Sequence, residues 1–232
     1  MKPRLSVVVP CYNESLNLPE LVARIDNVFN QKQIYGELVL VNDGSFDNTG
    51  HVIEKLAQEY TTVVPVHHDC NKGIADAWRS GVSLAKGTYV CLIDADLQYL
   101  PEDIWRLYRE ITNTSFDMVQ GYRSSVGREK DSRYYISRGL NGILNVLFEM
   151  HLTDNKSGFV IARKETLEDV LRHRYRYHYF QTFITVSATV RGYSIREIET
   201  LFENRRVGQS FMSAFPLLVI MRVFADLVKA FF

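Results

Sequence analysis

The first half of the chain alternates between short apolar runs rich in β-branched residues and longer stretches with helical periodicity. The apolar runs, at residues 5–9, 37–42, 63–67 and 89–93, predict buried strands. The segments between them, at 17–31, 47–60 and 74–86, predict helices. Strand–helix–strand alternation of this length favours right-handed crossovers and a mostly parallel sheet flanked by helices. The pattern therefore predicts an α/β fold of the Rossmann-like kind.

The second half continues this pattern less regularly. It predicts a helix at 101–113, a strand at 117–121, a helix at 134–150, a strand at 158–162, a further helix, a helix ending near residue 191 and a strand at 193–199. Because neither an internal repeat nor a linker interrupts it, we expect one domain over residues 1–210.

The last 22 residues, 211–232, predict an amphipathic helix after Pro216. Arg222, Asp226 and Lys229 share one helical face, and the rest of the surface is apolar. Such a helix either packs on its own domain or lies in a membrane interface. The sequence leaves both readings open.

Two helix starts carry capping signals. Asn17 with Glu20 three residues later predicts a capping box, and Asp47 with Asn48 predicts a cap for the helix at 47–60.

Composition narrows the function classes. The 232 residues include 27 basic and 27 acidic side chains, so no net charge points to nucleic acid. Cys11, Cys70 and Cys91 have no metal-type spacing and lie in or beside apolar runs, which predicts three buried free thiols in a reducing compartment. The apolar run near the N-terminus is too short for a signal peptide, and no apolar stretch reaches the length of a membrane span. We therefore expect a cytoplasmic protein.

The candidate acidic residues of the site follow three of the first four predicted strands, namely the first, second and fourth. Glu14, Asp43, Asp94 and Asp96 should meet at one sheet edge, because ligands of such sheets bind at the carboxyl ends of the strands. Converging carboxylates repel one another unless a cation, or hydrogen bonds to a ligand, offset their charge, and the simplest single resolution is one divalent metal shared by all four with a polar ligand. If the chain stays extended after residue 93, Asp94, Asp96 and Gln98 would share one face. Oxygen ligands of this kind suit Mg²⁺ or Mn²⁺ with a diphosphate. The alternative is that Asp96 caps a turn and Asp94 pairs with an arginine.

A basic stretch follows the strand at 117–121. Its members, which are candidate phosphate clamps or a solvated face, are Arg123, Arg128, Lys130, Arg133 and Arg138. The sequence contains no P-loop, no dinucleotide fingerprint and no Ser–His–Asp order, so these enzyme classes are poorly supported.

Six ordered segments carry a family resemblance. They are PCYNE at 10–14, VNDGS at 41–45, N-x-G at 71–73, DADLQ at 94–98, DNKSGF at 154–159 and FENRRVGQS at 202–210. In this order and spacing they resemble the inverting family-2 glycosyltransferases with a GT-A fold, in the dolichyl-phosphate mannose synthase-like and polyprenyl-phosphate glycosyltransferase branch.

The resemblance implies roles for individual residues. The nucleotide-sugar site would comprise Pro10, Tyr12, Glu14, Asp43, Asp94 and Ser157. The metal ligands would be Asp94, Asp96 and Gln98, with Mg²⁺ or Mn²⁺ as the cofactor. The catalytic residues would be Asp96, Arg123 and Arg205, the two arginines contacting phosphate.

Two departures from the family pattern bear on the acceptor. Phe211 follows Ser210 where the family usually has Lys, and Phe183 stands where F-Q-x-E usually supplies an acid. In relatives that glycosylate a sugar hydroxyl, a carboxylate near this position acts as general base. A polyprenyl phosphate is already an anion and needs no base, so the missing acid favours that acceptor or else indicates a changed activity.

The resemblance thus implies metal-assisted transfer of a sugar from a UDP- or GDP-sugar to a polyprenyl phosphate, at the cytoplasmic face of a membrane with peripheral membrane contact. Two alternatives stay open: a soluble family-2 transferase acting on a saccharide hydroxyl, and a non-catalytic nucleotide-sugar binder. A homo-oligomer is compatible with either.

Overall fold

A single mixed sheet forms the centre of the protein. The computed structural model describes residues 3–123, 132–172, 180–203 and 225–226. Within them, seven strands lie in the order β3-β2-β1-β4-β6-β5-β7. Only β6 is antiparallel to its neighbours, β4 and β5, so the other six strands run in one direction. The prediction of a mostly parallel sheet flanked by helices is confirmed.

The strands and helices follow the sequence periodicity closely. The strands are β1 (Leu5–Cys11), β2 (Gly36–Asn42), β3 (Val63–His67), β4 (Tyr89–Leu92), β5 (Met118–Arg123), β6 (Val160–Arg163) and β7 (Ile195–Thr200). The described helices are α1 (Leu18–Gln31), α2 (Thr49–Glu59), α3 (Ile74–Leu84), α4 (Asp103–Asn113), α5 (Ser132–Leu147), α6 (Lys164–Val170) and α7 (Phe180–Val190).

Two apolar layers hold the helices against the two faces of the sheet. Alternate residues of β1 point to opposite layers, since Val7 and Val9 pack with α1, α2 and α4, whereas Val8 packs with α3, α6 and α7. Trp78 of α3 is fully buried in the second layer. A third, smaller cluster joins α5 to α7. This packing leaves the carboxyl ends of the parallel strands for the loops that carry the candidate site.

The capping predictions are only partly confirmed. Asn17 precedes α1 but its side chain does not cap the helix; it donates instead to Glu14, so the capping box is wrong. At α2 the cap is Asp47, which accepts hydrogen bonds from the backbone N–H and the hydroxyl of Thr49. Asn48 makes no side-chain cap.

The cysteine prediction needs one correction. All three thiols are free, and Cys11 and Cys91 are fully buried, which raises the pKa of each thiol. Cys70, however, is exposed, because it lies in the loop after β3 and not in a strand.

No helix in the described part of the chain combines the length and hydropathy needed to cross a bilayer. The helix predicted at 211–232 lies outside the described residues, except for Ala225 and Asp226.

Candidate active site

The carboxyl ends of β1, β2 and β4 bring the predicted residues to one edge. β1 pairs with β2 up to Cys11 and Asn42, and the N–H of Asp43 donates to the Cys11 carbonyl at 2.8 Å. On the other side, Val8 pairs with Leu92, so Pro10 and Asp94 lie two residues further along adjacent strands. The prediction that these strand ends meet at a single edge is confirmed.

The Asp43 carboxylate, which is buried, anchors the loop after β3. It accepts the backbone N–H groups of Lys72 at 2.9 Å and Gly73 at 2.8 Å, and it contacts His68 Nδ1 at 2.7 Å. The other ring nitrogen of His68 lies 2.9 Å from the Ser80 hydroxyl of α3. Hydrogen bonds from the protein therefore compensate this carboxylate, so its burial does not call for a metal.

Glycine is required directly after Asp43. Gly44 has φ of +64°, and a Cβ atom there would lie 2.2 Å from the backbone carbonyl carbon of Cys70. The backbones of the two loops approach so closely that no side chain fits between them.

Hydrogen bonds join the loop after β1 to the loop after β2. The N–H of Asn13 donates to the Ser45 hydroxyl at 3.0 Å, and the N–H of Phe46 donates to the Asn13 side chain at 3.1 Å. The rings of Tyr12 and Phe46 meet edge to face at 5.9 Å. Phe46 is 83% exposed, so this aromatic pair offers an accessible surface against which a nucleotide base can pack.

Glu14 is buried in the loop between β1 and α1. Its carboxylate accepts the Asn17 amide at 2.6 Å, and its backbone N–H donates to the Thr49 hydroxyl at 2.9 Å. Like Asp43, Glu14 is held by protein hydrogen bonds. The sequence argument that all four carboxylates need a shared cation is therefore too strong, and the candidate cation ligands reduce to those that follow β4.

The loop after β4 presents alternate polar side chains, but not by an extended backbone. Residues 95–98 form a turn, in which Leu97 has φ of +59°, so the condition of an extended backbone after residue 93 is not met. Ala95 and Leu97 are buried, whereas Asp94, Asp96 and Gln98 are each partly exposed. The predicted alternation of buried and exposed side chains is therefore present, but a turn produces it and not an extended strand.

Hydrogen bonds within the protein engage each of these three side chains. Asp96 Oδ1 accepts the Gln98 N–H at 3.1 Å, and Asp94 Oδ2 accepts the Gln181 amide at 3.2 Å. The Gln98 amide nitrogen donates to the Glu203 carbonyl at 3.2 Å. Carboxylate oxygens suit Mg²⁺ or Mn²⁺. In the described ranges no group of three or more His, Cys, Asp or Glu side chains could hold a metal ion.

Gln181 is a site residue to which the sequence assigned no role. It reaches Asp94 from α7, and its amide nitrogen lies 3.1 Å from where a Cβ atom on Gly158 would stand. Gln181 is part of the F-Q-x-E pattern, in which only the missing acid indicated a consequence for the acceptor. Phe183, which replaces that acid, is 2% exposed and packs in the cluster between α5 and α7.

Arg123 forms a bidentate ion pair at the end of β5. Its Nε and Nη2 donate to the two carboxylate oxygens of Asp154 at 2.6 and 2.9 Å, and its guanidinium lies 5.3 Å from the centre of the Phe202 ring. Burial alone would lower the pKa of Arg123, but Asp154, Tyr99 and Asp94 outweigh burial and raise it. Burial alone would raise the pKa of Asp154, and Arg123 reverses that effect and lowers it. Both side chains are therefore charged.

Ser157 occupies the predicted loop but is fully buried. Its hydroxyl donates to the Gly121 carbonyl at 2.5 Å and accepts from the Tyr99 hydroxyl at 3.0 Å and the Phe159 N–H at 3.1 Å. These three hydrogen bonds favour a role in shaping the loop over direct contact with a ligand.

Several predicted cations cannot be placed. Arg205, Arg128 and Lys130 lie outside the described residues, as do Ser210 and Phe211. Arg138 is exposed on α5. The roles predicted for these residues stay predictions.

Comparison with known proteins fits this arrangement of strand ends, acidic turn and Arg123. The family model described as glycosyl transferase family 2 matches residues 6–171. The chain belongs to glycosyl transferase family 2. Undecaprenyl-phosphate 4-deoxy-4-formamido-L-arabinose transferase of Serratia proteamaculans is 28% identical over 94% of this chain and 65% of its own length. Dolichol-phosphate mannosyltransferase of Pyrococcus furiosus is 35% identical over 72% of this chain and 48% of its own length. The chain thus spans about half to two thirds of the length of these relatives.

Solved structures show the fold. Glucosyl-3-phosphoglycerate synthase of Mycobacterium tuberculosis, in complex with Mn²⁺, UDP and glucosyl-3-phosphoglycerate, aligns with a TM-score of 0.71 at 16% identity. The alignment covers 96% of this chain and 79% of that one. The same enzyme with Mg²⁺ and UDP aligns with the same TM-score of 0.71. The expected GT-A fold is confirmed.

Proposed function

We propose that the protein transfers a sugar, with inversion, from a UDP- or GDP-sugar to a polyprenyl phosphate. The family-2 assignment and the names of the relatives support the reaction class. The observation that carries the choice of acceptor is the burial of Phe183 in an apolar cluster. The residue there cannot act as a general base, and a phosphate acceptor needs none because it is already an anion.

The described residues divide the work of this reaction. The wall formed by Pro10, Tyr12 and Glu14, together with the loop that Asp43 anchors, would bind the nucleoside. Asp94 and Asp96 would hold a divalent cation, with Gln98 beside them. That cation supplies positive charge where the departing nucleoside diphosphate becomes more negative. Arg123 would contact a phosphate through the guanidinium nitrogen that Asp154 leaves unused.

Peripheral contact with the cytoplasmic face of a membrane belongs to this proposal, since the acceptor is a lipid. The described structure adds support beyond the C-terminal segment. α5 exposes Tyr135, Ile143, Val146 and Leu147, with Arg138 exposed on the same helix. Apolar side chains flanked by a cation suit an anionic bilayer surface.

Transfer to lipid is tested with radiolabelled UDP- and GDP-sugars, a short-chain polyprenyl phosphate and Mg²⁺ or Mn²⁺. We expect label to enter the organic phase on extraction, and to do so only with the metal and the phosphorylated lipid. Label found only in water-soluble saccharide would instead indicate a hydroxyl acceptor. Nucleotide binding without transfer or donor hydrolysis would indicate a non-catalytic binder.

Membrane contact is tested by sedimentation with vesicles of phosphatidylcholine and phosphatidylglycerol. We expect the double substitution Val146→Asp and Leu147→Asp to reduce the bound fraction several-fold, because each buries a charge at the interface. Val190→Asp on α7 is the matched control, since Val190 is 65% exposed. Equal binding of wild type, double variant and control would contradict the contact through α5.

A further inference from the structure

The loop that follows α5 and precedes β6 is held by side chains from three elements. Glu197 of β7 accepts two successive backbone N–H groups, from Thr153 at 2.6 Å and from Asp154 at 3.1 Å. Gln120 of β5 donates to Glu197 at 3.1 Å and to the Asp154 carbonyl at 2.5 Å. From α5, Asn141 accepts the next N–H, that of Asn155, at 2.8 Å. The backbone on both sides of Asp154 is therefore fixed.

The fixed backbone aims the Asp154 carboxylate at Arg123. Asp154 is 8% exposed, and its Oδ1 also accepts the Lys156 N–H at 3.1 Å. Its two oxygens engage Nε and Nη2 of Arg123 in a planar fork, which sets both the position and the rotation of the guanidinium. Among the described residues, no hydrogen bond engages the third nitrogen, Nη1. The ion pair thus leaves one nitrogen of Arg123 for a ligand.

This ion pair lies beside the candidate cation ligands. Burial lowers the pKa of Arg123, and Asp154, Tyr99 and then Asp94 raise it, so Asp94 and Arg123 are within electrostatic range. Phe202 covers the guanidinium and contacts Tyr99 edge to face at 4.9 Å, and Tyr99 follows the acidic turn directly. An oxyanion held by a cation at Asp94 and Asp96 would therefore be near Arg123.

We infer that Asp154 is a positioning residue that orients Arg123, so that Nη1 contacts a phosphate oxygen of a ligand at this site. The inference rests on the proposed function for the identity of the ligand as a phosphate. Asp154 acts through Arg123 and does not itself touch the ligand, since a carboxylate repels an oxyanion. If Asp154 merely neutralised Arg123, its removal would strengthen the binding of phosphate. If it orients Arg123, its removal weakens that binding.

A double-mutant cycle with Asp154→Asn and Arg123→Gln separates these roles. We expect Asp154→Asn to weaken binding of inorganic diphosphate with Mg²⁺ about tenfold by calorimetry, and to have little further effect once Arg123→Gln is present. The same cycle with a short-chain isoprenyl monophosphate tells whether Arg123 serves the donor or the acceptor phosphate. Asp103→Asn is the control, because Asp103 is 7% exposed and pairs with Arg106 on α4, outside the site.

Three results would overturn the inference: tighter binding by Asp154→Asn, independent effects of the two substitutions with both probes, or an equal loss in Asp103→Asn. If Asp154→Asn does not fold, judged by its melting transition, Asp154→Glu takes its place in the cycle, since it keeps the charge and changes the reach. Failure of the wild-type protein to transfer sugar to lipid would contradict the proposed function alone, because the diphosphate cycle does not depend on the acceptor.

Discussion

Replacing Asp96 with asparagine is expected to lower kcat for sugar transfer on the order of 10³-fold, with the fold preserved. Asp96 lies in the turn after β4 and is partly exposed, and its Oδ1 accepts the N–H of Gln98. An asparagine oxygen can accept the same hydrogen bond, so the turn should persist. The charge that would hold the cation opposite the departing diphosphate is lost. Initial rates at saturating donor and acceptor measure the effect.

Asp117→Asn is the matched control for this substitution. Asp117 is also half-buried and accepts hydrogen bonds from Ser194, but it lies beside the amino end of β5, at the opposite edge of the sheet. The Asp117→Asn protein should therefore transfer sugar at the wild-type rate. A folded Asp96→Asn protein with a near-normal rate would contradict the role of Asp96 in holding the cation.

Replacing Asp43 with alanine is expected to reduce the free energy of unfolding by about 3 kcal/mol and to abolish nucleotide binding. The substitution leaves two backbone N–H groups and His68 without the carboxylate that now holds them. The loop from His68 to Gly73 would lose its anchor at the edge where the nucleoside is expected. Urea unfolding gives the stability, and calorimetry with UDP and GDP gives the binding.

Asp69→Ala tests the same loop without removing the anchor, because Asp69 is exposed. It should change stability by less than about 0.5 kcal/mol and leave nucleotide binding intact. If Asp43→Ala behaved like Asp69→Ala, the hydrogen bonds of Asp43 would not be what orders this loop.

Periodicity predicted the fold well because most elements bury a continuous apolar surface. Strands such as β1 have no alternative environment, and a parallel sheet covered on both faces is the arrangement that buries them all. The antiparallel direction of β6 could not be predicted, because a short apolar run has the same pattern in a parallel and in an antiparallel strand. The capping box was predicted wrongly for a related reason. The Asn17 side chain can hydrogen-bond either to the end of the helix or to Glu14, and the tertiary structure decides between these partners.

The sequence predicted at which edge of the sheet the site lies, but not which hydrogen bonds its residues make. That Asp43 and Asp94 would come together followed from the topology of parallel strands. The same topology did not predict which carboxylates need a cation. The backbone N–H groups that compensate Asp43 come from a loop about 30 residues away in the sequence. Asp154 is part of the DNKSGF segment and Gln181 is part of the F-Q-x-E pattern, but their partners, Arg123 and Asp94, lie on other elements. Only the folded chain reveals such pairs.

We propose that Asp94 and Asp96 hold a divalent cation together with the diphosphate of a nucleotide. The most direct test measures the melting temperature of wild type and of the Asp94→Asn, Asp96→Asn double variant with UDP or GDP, with and without Mn²⁺. A ligand that binds only the folded protein raises its melting temperature. We expect the melting temperature of the wild type to rise only when Mn²⁺ is present, and the rise to be lost in the double variant. An equal rise in both proteins, or one that does not depend on Mn²⁺, would contradict it.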